Sequence, residues 1–223
     1  LGVTGSNNIG MGSAALIRNV TGGANIALGY RSSYGNNSAT STIALGYESA
    51  LGSGVGTAYN AQGYTALGYR TGYNFGTGAD WNTLIGYAAG NLITTGADNI
   101  VIGGASTTAN SNLTTGSQNI IIGQNVSAPS ATASGQLNIQ NIIFGTGNTA
   151  VGTTISSGNI GIGTTTPAAT LGVAGNIFSS GFHDTSGTTG GYKINGNLVL
   201  QASSTNFATI VGLGAGTNLK TLA

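Results

Sequence analysis

The sequence of 223 residues lacks cysteine, has only two prolines and is poor in charge, since charged side chains make up 4% of it. The absence of cysteine excludes disulfides, thiolate metal ligands and thiol nucleophiles. Five basic and four acidic side chains give a net charge of +1, which is not the clustered positive charge that binding to nucleic acid requires. No apolar run approaches the roughly 20 residues of a membrane-spanning helix.

Short apolar blocks that end in glycine recur along the chain. They read NIGMG, NIALG, TIALG, YTALG, NTLIG, NIVIG, NIIIG, NIIFG and NIGIG, and their closing glycines lie 17 to 22 residues apart. Each block is too short for a helix and is followed by turn-forming residues, which predicts a short strand. The recurrence predicts an all-β fold, a parallel β-roll or β-solenoid with two short strands per coil. Nine such coils would extend about 45 Å.

The middle residue of each block is never polar. These middle residues are Gly10, Ala27, Ala44, Ala66, Leu84, Val101, Ile121, Ile143 and Gly161. Successive side chains of a strand point to opposite faces, so a block without a polar position predicts a strand that is covered on both faces. One face is the core of the solenoid, and a second copy of the chain is the simplest cover for the other. The small middle residues predict an axis at which identical strands meet.

Asparagine leads most of the blocks. It takes the first position at Asn8, Asn25, Asn82, Asn99, Asn119, Asn141 and Asn159. In stacked coils these side chains would form a ladder, in which each amide bonds to the neighbouring turn or backbone. Because asparagine is a standard turn residue, a structural ladder is favoured over a polar ligand site.

Two further columns follow the closing glycine. Tyrosine takes the next position at Tyr30, Tyr47, Tyr69 and Tyr87, and charged residues follow it at Arg31, Glu48 and Arg70. On adjacent coils about 4.8 Å apart the tyrosines would stack into a stripe. That stripe is either a packing ladder or a platform that binds carbohydrate or another surface. The charges would alternate in sign along the stack, which suits parallel strands in register because like charges would repel.

Few residues of the chain could carry catalysis. His183 and Asp184 are adjacent and could act as a base with its orienting acid or as part of a metal site, but a solvated loop is the simpler interpretation. No serine lies in a GxSxG elbow, and the glycine-rich segments lack the strand-turn-helix setting of a nucleotide-binding loop. We therefore expect no enzymatic activity, no metal and no cofactor.

Over residues 8–163, the blocks and the Gly, Ala, Ser and Thr turns between them resemble the head repeats of trimeric autotransporter adhesins. The resemblance implies a left-handed parallel β-roll with one short block per coil, assembled from three chains. Coils of that family repeat with a shorter and steadier period, so the present spacing implies longer loops in some coils. The resemblance brings no catalytic or ligand residues to this chain.

The segment GNIGIGTTTPAATLGVAGNI resembles the connector of phage tail-fibre-like and large bacterial surface proteins. LGVTG at the start of the chain matches LGVAG inside that segment, and VGLGAGTNLKTL near the end resembles IGYAAGNLITTG in an earlier coil. We therefore expect a piece of a longer, segmented protein. Its parts would be the end of a preceding connector in 1–6, a β-roll in 7–163, a connector with a small β-rich stalk insert in 164–207, and the start of a further roll in 208–223.

Three functions fit these features. The first is a structural and adhesive segment of an extracellular homotrimeric fibre at a cell or virion surface, which binds further copies of itself and a host glycan or protein. The second is a receptor-binding segment of a phage tail fibre, with the same fold and trimer. The third is a monomeric β-solenoid that binds ice or another regular lattice, although the threonines do not recur coil by coil. None of the three requires nucleic acid or insertion into a membrane.

Overall fold

The structure, a computed structural model, describes residues 5–53, 57–104, 112–150 and 152–177, together with strand residues 192–194, 197–202 and 209–211. The chain forms two compact units, residues 1–176 and 177–223. The described residues form strands and turns without a helix, as the all-β prediction requires.

The first unit begins with eight three-residue strands that pair in parallel in chain order. They are β1 (Ile9–Met11), β2 (Ile26–Leu28), β3 (Ile43–Leu45), β4 (Thr65–Leu67), β5 (Thr83–Ile85), β6 (Ile100–Ile102), β7 (Ile120–Ile122) and β8 (Leu137–Ile139). Equivalent block positions lie opposite each other at every pairing from β1 to β7, as in Ala27 beside Ala44. The result is a parallel β-solenoid of about seven turns, or roughly 34 Å of stacked coils at about 4.8 Å each.

Among the described residues each coil contains one strand, which contradicts the prediction of two strands per coil. The other sides of the coil are turns that bond directly to the next coil, as in Gly76 N–H to Thr94 O at 2.7 Å and Thr114 N–H to Ala131 O at 2.9 Å. Among the described residues, one isolated parallel bridge joins Asn36 to Tyr59 on this part of the coil. Turn-forming residues between the blocks therefore keep the backbone bonded without regular strands.

The parallel stacking stops after β8. Strand β9 (Ile143–Gly145) pairs antiparallel with β8, β10 (Ile160–Ile162) pairs antiparallel with β9, and β11 (Leu171–Val173) pairs parallel with β10. The NIIFG block was expected to add a parallel coil, and that expectation is wrong.

The reversal after β8 has a local cause in a tight turn. Gln140 and Asn141 have φ of 50° and 55°, and the N–H of Ile142 bonds to Ile139 O at 3.0 Å. Two consecutive residues with positive φ are typical of a hairpin turn, which sends the chain straight back instead of around another coil.

The second unit contains an antiparallel sheet of β12 (Tyr192–Ile194), β13 (Asn197–Ala202) and β14 (Thr209–Val211). Strand β14 lies inside the 208–223 range in which the sequence predicts a new roll.

The middle residues of strands β2 to β7 point into the solenoid. Ala27, Ala44, Ala66 and Leu84 are fully buried, and Val101 is 1% exposed. Larger side chains from the turns fill the space that the small alanines leave, including Tyr59, Tyr64 and Phe75. The rings of Tyr64 and Phe75 meet edge to face with centroids 5.3 Å apart. The prediction that the middle residues meet other copies at an axis is therefore wrong for β2 to β7, because a single chain buries these residues in its own core.

The closing glycine of the first six blocks, from Gly12 to Gly103, is required by the close approach of successive coils. At Gly29 φ is +134°, and a Cβ atom built there would lie 2.3 Å from the carbonyl oxygen of Gly46 on the next coil. Gly46 has the same relation to Gly68, and Gly68 to Gly86. A side chain at this corner would have both a strained backbone and a clash with the next turn.

Candidate functional site

The outward face of the parallel sheet carries a row of apolar side chains. The first and third residues of strands β1 to β7 point away from the core, so this outward row contains mainly isoleucine and leucine. Ile85, Ile100 and Ile102 are each 38% exposed, and Ile9 and Met11 at the start of the stack are 56% and 68% exposed. The sequence reading assigned contacts between copies to the middle residues, and alternation in the strand places the outward row on the opposite face.

The four tyrosines predicted to form a stripe lie in one stack. The ring centroids of Tyr30 and Tyr47 are 5.2 Å apart, those of Tyr47 and Tyr69 are 5.4 Å apart, and those of Tyr69 and Tyr87 are 4.9 Å apart. The interplanar angles are 24°, 11° and 12° in the same order. We call this stack the tyrosine column. Parallel coils in register place each ring directly over the last, which gives the column its regular spacing.

Guanidinium groups cover part of the tyrosine column. The guanidinium carbon of Arg31 lies 4.9 Å from the centroid of the Tyr30 ring, and that of Arg70 lies 5.3 Å from the Tyr69 ring. These cation–π contacts hold arginine side chains along the column. Tyr87, at the other end from Tyr30, is 52% exposed, compared with 37% for both Tyr30 and Tyr69.

The three residues of the predicted charge column lie within ion-pair distance. Glu48 lies between the two arginines, with 3.8 Å from its carboxylate to Arg31 Nη1 and 2.9 Å to Arg70 Nε. The Glu48 side chain is only 6% exposed. Its hydrogen bond raises the pKa of the Arg70 guanidinium. The alternation of charge thus links three consecutive coils.

Buried asparagine side chains link consecutive coils at the start of the strands. The Oδ1 atom of Asn8 accepts the backbone N–H of Asn25 at 3.1 Å, and that of Asn82 accepts the N–H of Asn99 at 3.0 Å. Asn99 Oδ1 in turn accepts the N–H of Asn119 at 3.0 Å. Each of these asparagines also donates through Nδ2 to a carbonyl oxygen of the coil, as in Asn25 to Ala39 O at 2.6 Å. We call this chain of side chains the amide ladder.

The ladder also uses residues that the sequence pattern did not include. Thr42 continues it, because its N–H and hydroxyl both donate to Asn25 Oδ1 at 3.1 and 2.7 Å. Gln136 ends it, with its backbone N–H donating to Asn119 Oδ1 at 2.8 Å. At the fourth coil Tyr64 takes the position, and its hydroxyl lies 2.7 Å from Ser33 Oγ.

Two asparagines of the predicted ladder lie elsewhere. Asn141 is in the turn after β8, where its N–H donates to Asn138 Oδ1 at 2.9 Å. Asn159 precedes β10, beyond the parallel stack, and its Nδ2 donates to Pro167 O at 3.0 Å. The remaining five form the ladder together with Thr42 and Gln136.

The described residues contain no group of three or more His, Cys, Asp or Glu side chains that could hold a metal ion. His183 and Asp184, the pair that the sequence singled out, lie outside the described residues. The outward row and the tyrosine column are two exposed features of the described residues that another molecule could contact.

Within the part of the chain that the structure describes, no helix has the length and apolar character to cross a bilayer. Comparison of the chain with protein-family models, with curated proteins and with solved structures finds no match.

Proposed function

We propose that the chain is a structural and adhesive segment of an extracellular fibre in which three copies associate side by side. The observation that carries the proposal is the outward row, an apolar sheet face that runs along about seven coils in register. Water-exposed isoleucine and leucine in a continuous row favour burial against another surface. Identical coils present the same row on every copy, so further copies of the chain offer a matching surface.

The interior of the solenoid supports a structural role. The amide ladder satisfies buried polar groups coil by coil, and the backbone of each coil bonds to the next. Such a stack depends on neighbouring coils and not on disulfides or metals. In this proposal the fibre stands at the surface of a cell or virion, and the tyrosine column contacts a host glycan or protein.

A charge placed on the outward row tests this assembly. Light scattering after size exclusion measures the native mass of the wild type and of an Ile100→Lys, Ile102→Lys double variant. Buried like charges on three copies would oppose association, so we expect the mass of three chains for the wild type and a smaller mass for the variant.

The matched control is Ile155→Lys, because Ile155 is 92% exposed and lies outside the strands. The control should keep the mass of the wild type. A wild type with the mass of one chain would contradict the proposal and favour a monomeric, lattice-binding solenoid.

A further inference from the structure

The four phenol groups of the tyrosine column lie close to one another and also reach solvent. The ring centroids of neighbouring members are 4.9–5.4 Å apart. The four residues, Tyr30, Tyr47, Tyr69 and Tyr87, are each 37–52% exposed. An exposed phenol is open to attack by an oxidant, and a stacked phenol has a second one within reach. The column therefore meets both conditions for the oxidative joining of two tyrosines.

The other described tyrosines do not combine these conditions in the same way. Tyr59 and Tyr64 are buried in the core, out of reach of an oxidant in solution. Tyr34 and Tyr73 are half-buried, and each ring lies beside the guanidinium group of an arginine. The stacked tyrosine pairs found among the described residues all belong to the column. The chain also has no cysteine, whose thiolate would be a competing target for the oxidant.

We propose that the tyrosine column is a site of oxidative cross-linking, at which hydrogen peroxide and a haem peroxidase join tyrosines of consecutive coils as dityrosine. Each of two phenols gives up one electron and its hydroxyl proton, and together these reduce one hydrogen peroxide molecule to two water molecules. The two phenoxyl radicals form one carbon–carbon bond between the ring positions next to their oxygens. The hydrogen on each bonded carbon then moves as a proton to the phenol oxygen, which restores both hydroxyl groups.

Parallel stacking in register favours a bond between coils of one chain. Neighbouring coils lie about 4.8 Å apart, and exposed side chains change rotamer within nanoseconds, so two stacked rings can turn edge to edge. Groups held this close react as if at very high concentration. We expect Tyr69 and Tyr87 to form the most abundant link, because their centroids are the closest, at 4.9 Å, and Tyr87 is the most exposed ring of the column.

The cross-link would restrict the unfolded chain as a disulfide does, in a sequence that has no cysteine with which to form one. The link joins segments of one chain, so it needs neither the trimer nor a host ligand. This proposal therefore stands or falls separately from the proposed function.

The test is oxidation of the full chain by hydrogen peroxide with a haem peroxidase. Dityrosine fluorescence measures the yield of cross-links, peptide mapping by mass spectrometry locates them, and a denaturing gel separates links within a chain from links between chains. A double variant with Tyr47→Phe and Tyr87→Phe breaks the column, because the remaining phenols, Tyr30 and Tyr69, lie on coils that are not neighbours.

The matched control is a double variant with Tyr34→Phe and Tyr73→Phe. It removes the same number of phenols and leaves the column intact. Phenylalanine keeps the ring at each position and removes only the hydroxyl group, so we expect both double variants to fold. The two variants differ in whether neighbouring coils still carry stacked phenols, which is the feature that the proposal depends on.

We expect links between neighbouring members of the column, in chains that keep the mass of one chain on the denaturing gel. The fluorescence yield should fall by about tenfold or more in the broken column, because coupling then loses the advantage of proximity, and should stay near that of the wild type in the control. The proposal is overturned if both double variants lose the same share of the fluorescence, if the links join separate chains, or if they map mainly to tyrosines outside the column.

Discussion

Removal of one amide from the middle of the ladder gives a stability change that the structure allows us to estimate. The Asn99 side chain is fully buried, its Oδ1 accepts the N–H and Nδ2 of Asn119 at 3.0 Å each, and its Nδ2 donates to Gly116 O at 3.0 Å. Asn99→Ala removes all three bonds. The Asn119 amide nitrogen keeps its bond to Ala133 O, but the Asn119 backbone N–H and the Gly116 carbonyl lose these partners in a buried site.

Each buried polar group left without a partner costs about 1–3 kcal/mol. The two groups together predict a loss of about 2–6 kcal/mol in the free energy of unfolding, a large share of the 5–15 kcal/mol of a typical domain. Urea unfolding followed by tryptophan fluorescence measures this loss. The chain has one tryptophan, Trp81, which directly precedes Asn82 in the ladder.

The matched control is Asn60→Ala. Asn60 is exposed, and its Oδ1 accepts one surface hydrogen bond from Ser38 Oγ at 3.0 Å. Surface substitutions of this kind usually change stability by no more than about 0.5 kcal/mol. The reasoning is refuted if Asn99→Ala unfolds at the same urea concentration as Asn60→Ala, because the buried ladder bonds would then add nothing to stability.

Three further changes can be followed by the same unfolding experiment. Gly46→Ala should lose more stability than Gly78→Ala. Both glycines have positive φ, which alone costs an alanine about 1–3 kcal/mol. At Gly46 the added Cβ would also lie 2.2 Å from the carbonyl oxygen of Gly68 on the next coil, whereas nothing lies within 4 Å of it at Gly78. Equal losses would show that the corner is not tightly stacked. Burial raises the pKa of Tyr59 well above 10, so above pH 10 the unfolded chain loses this proton while the folded chain keeps it. The contribution of Tyr59 to stability should therefore be constant below pH 10 and fall by about 1.4 kcal/mol per pH unit above it. The slope above pH 10 should be smaller in Tyr59→Phe, and an unchanged slope would contradict the assignment. Glu48→Gln should cost about 1 kcal/mol through loss of its ion pairs to arginine. That loss of stability should be smaller in 1 M NaCl, where the Debye length is about 3 Å. A loss that does not depend on salt would show that Glu48 stabilises the fold by packing and not by its charge.

The block pattern predicts the seven strands β1 to β7, in which each apolar block forms one strand of the parallel stack. Apolar residues closed by glycine mark β1 to β7, and the in-register pairing follows from the repetition itself. Strand β8 was missed because its middle residue is Asn138 and no glycine closes it. The Asn138 amide is satisfied by Ser127 O at 2.6 Å and by Asn141 Oδ1 at 2.8 Å. Only the folded turn supplies those partners, so the sequence alone gave no sign that a polar residue could point inward here.

The orientation of the strands was assigned wrongly for a physical reason. In a block such as Ile26–Leu28 both alternating faces are apolar, so alternation alone does not tell which face is the core. The small size of Ala27 predicts close contact between copies. In the structure it makes room inside the coil for large rings from the turns, including Tyr59 and Phe75. Those rings come from segments with no repeated pattern, and their inward position could not be predicted.

The tyrosine and charge columns were predictable because each residue keeps a fixed distance from the closing glycine. The end of the tyrosine column is visible in the sequence as well, since the NIVIG block is followed by Gly104 where four earlier blocks have tyrosine.

The central claim is that copies of the chain meet through the outward row, and maleimide labelling tests it most directly. The chain has no cysteine, so Ile102→Cys and Ile155→Cys each carry a single reactive thiol. In one chain Ile102 is 38% exposed and Ile155 is 92% exposed. The account predicts that the thiol at position 102 reacts about tenfold or more slowly than the thiol at 155, because it reacts only when the assembly opens, and that the two rates become equal in urea. Similar rates in native buffer would contradict the account, since the outward row would then face water.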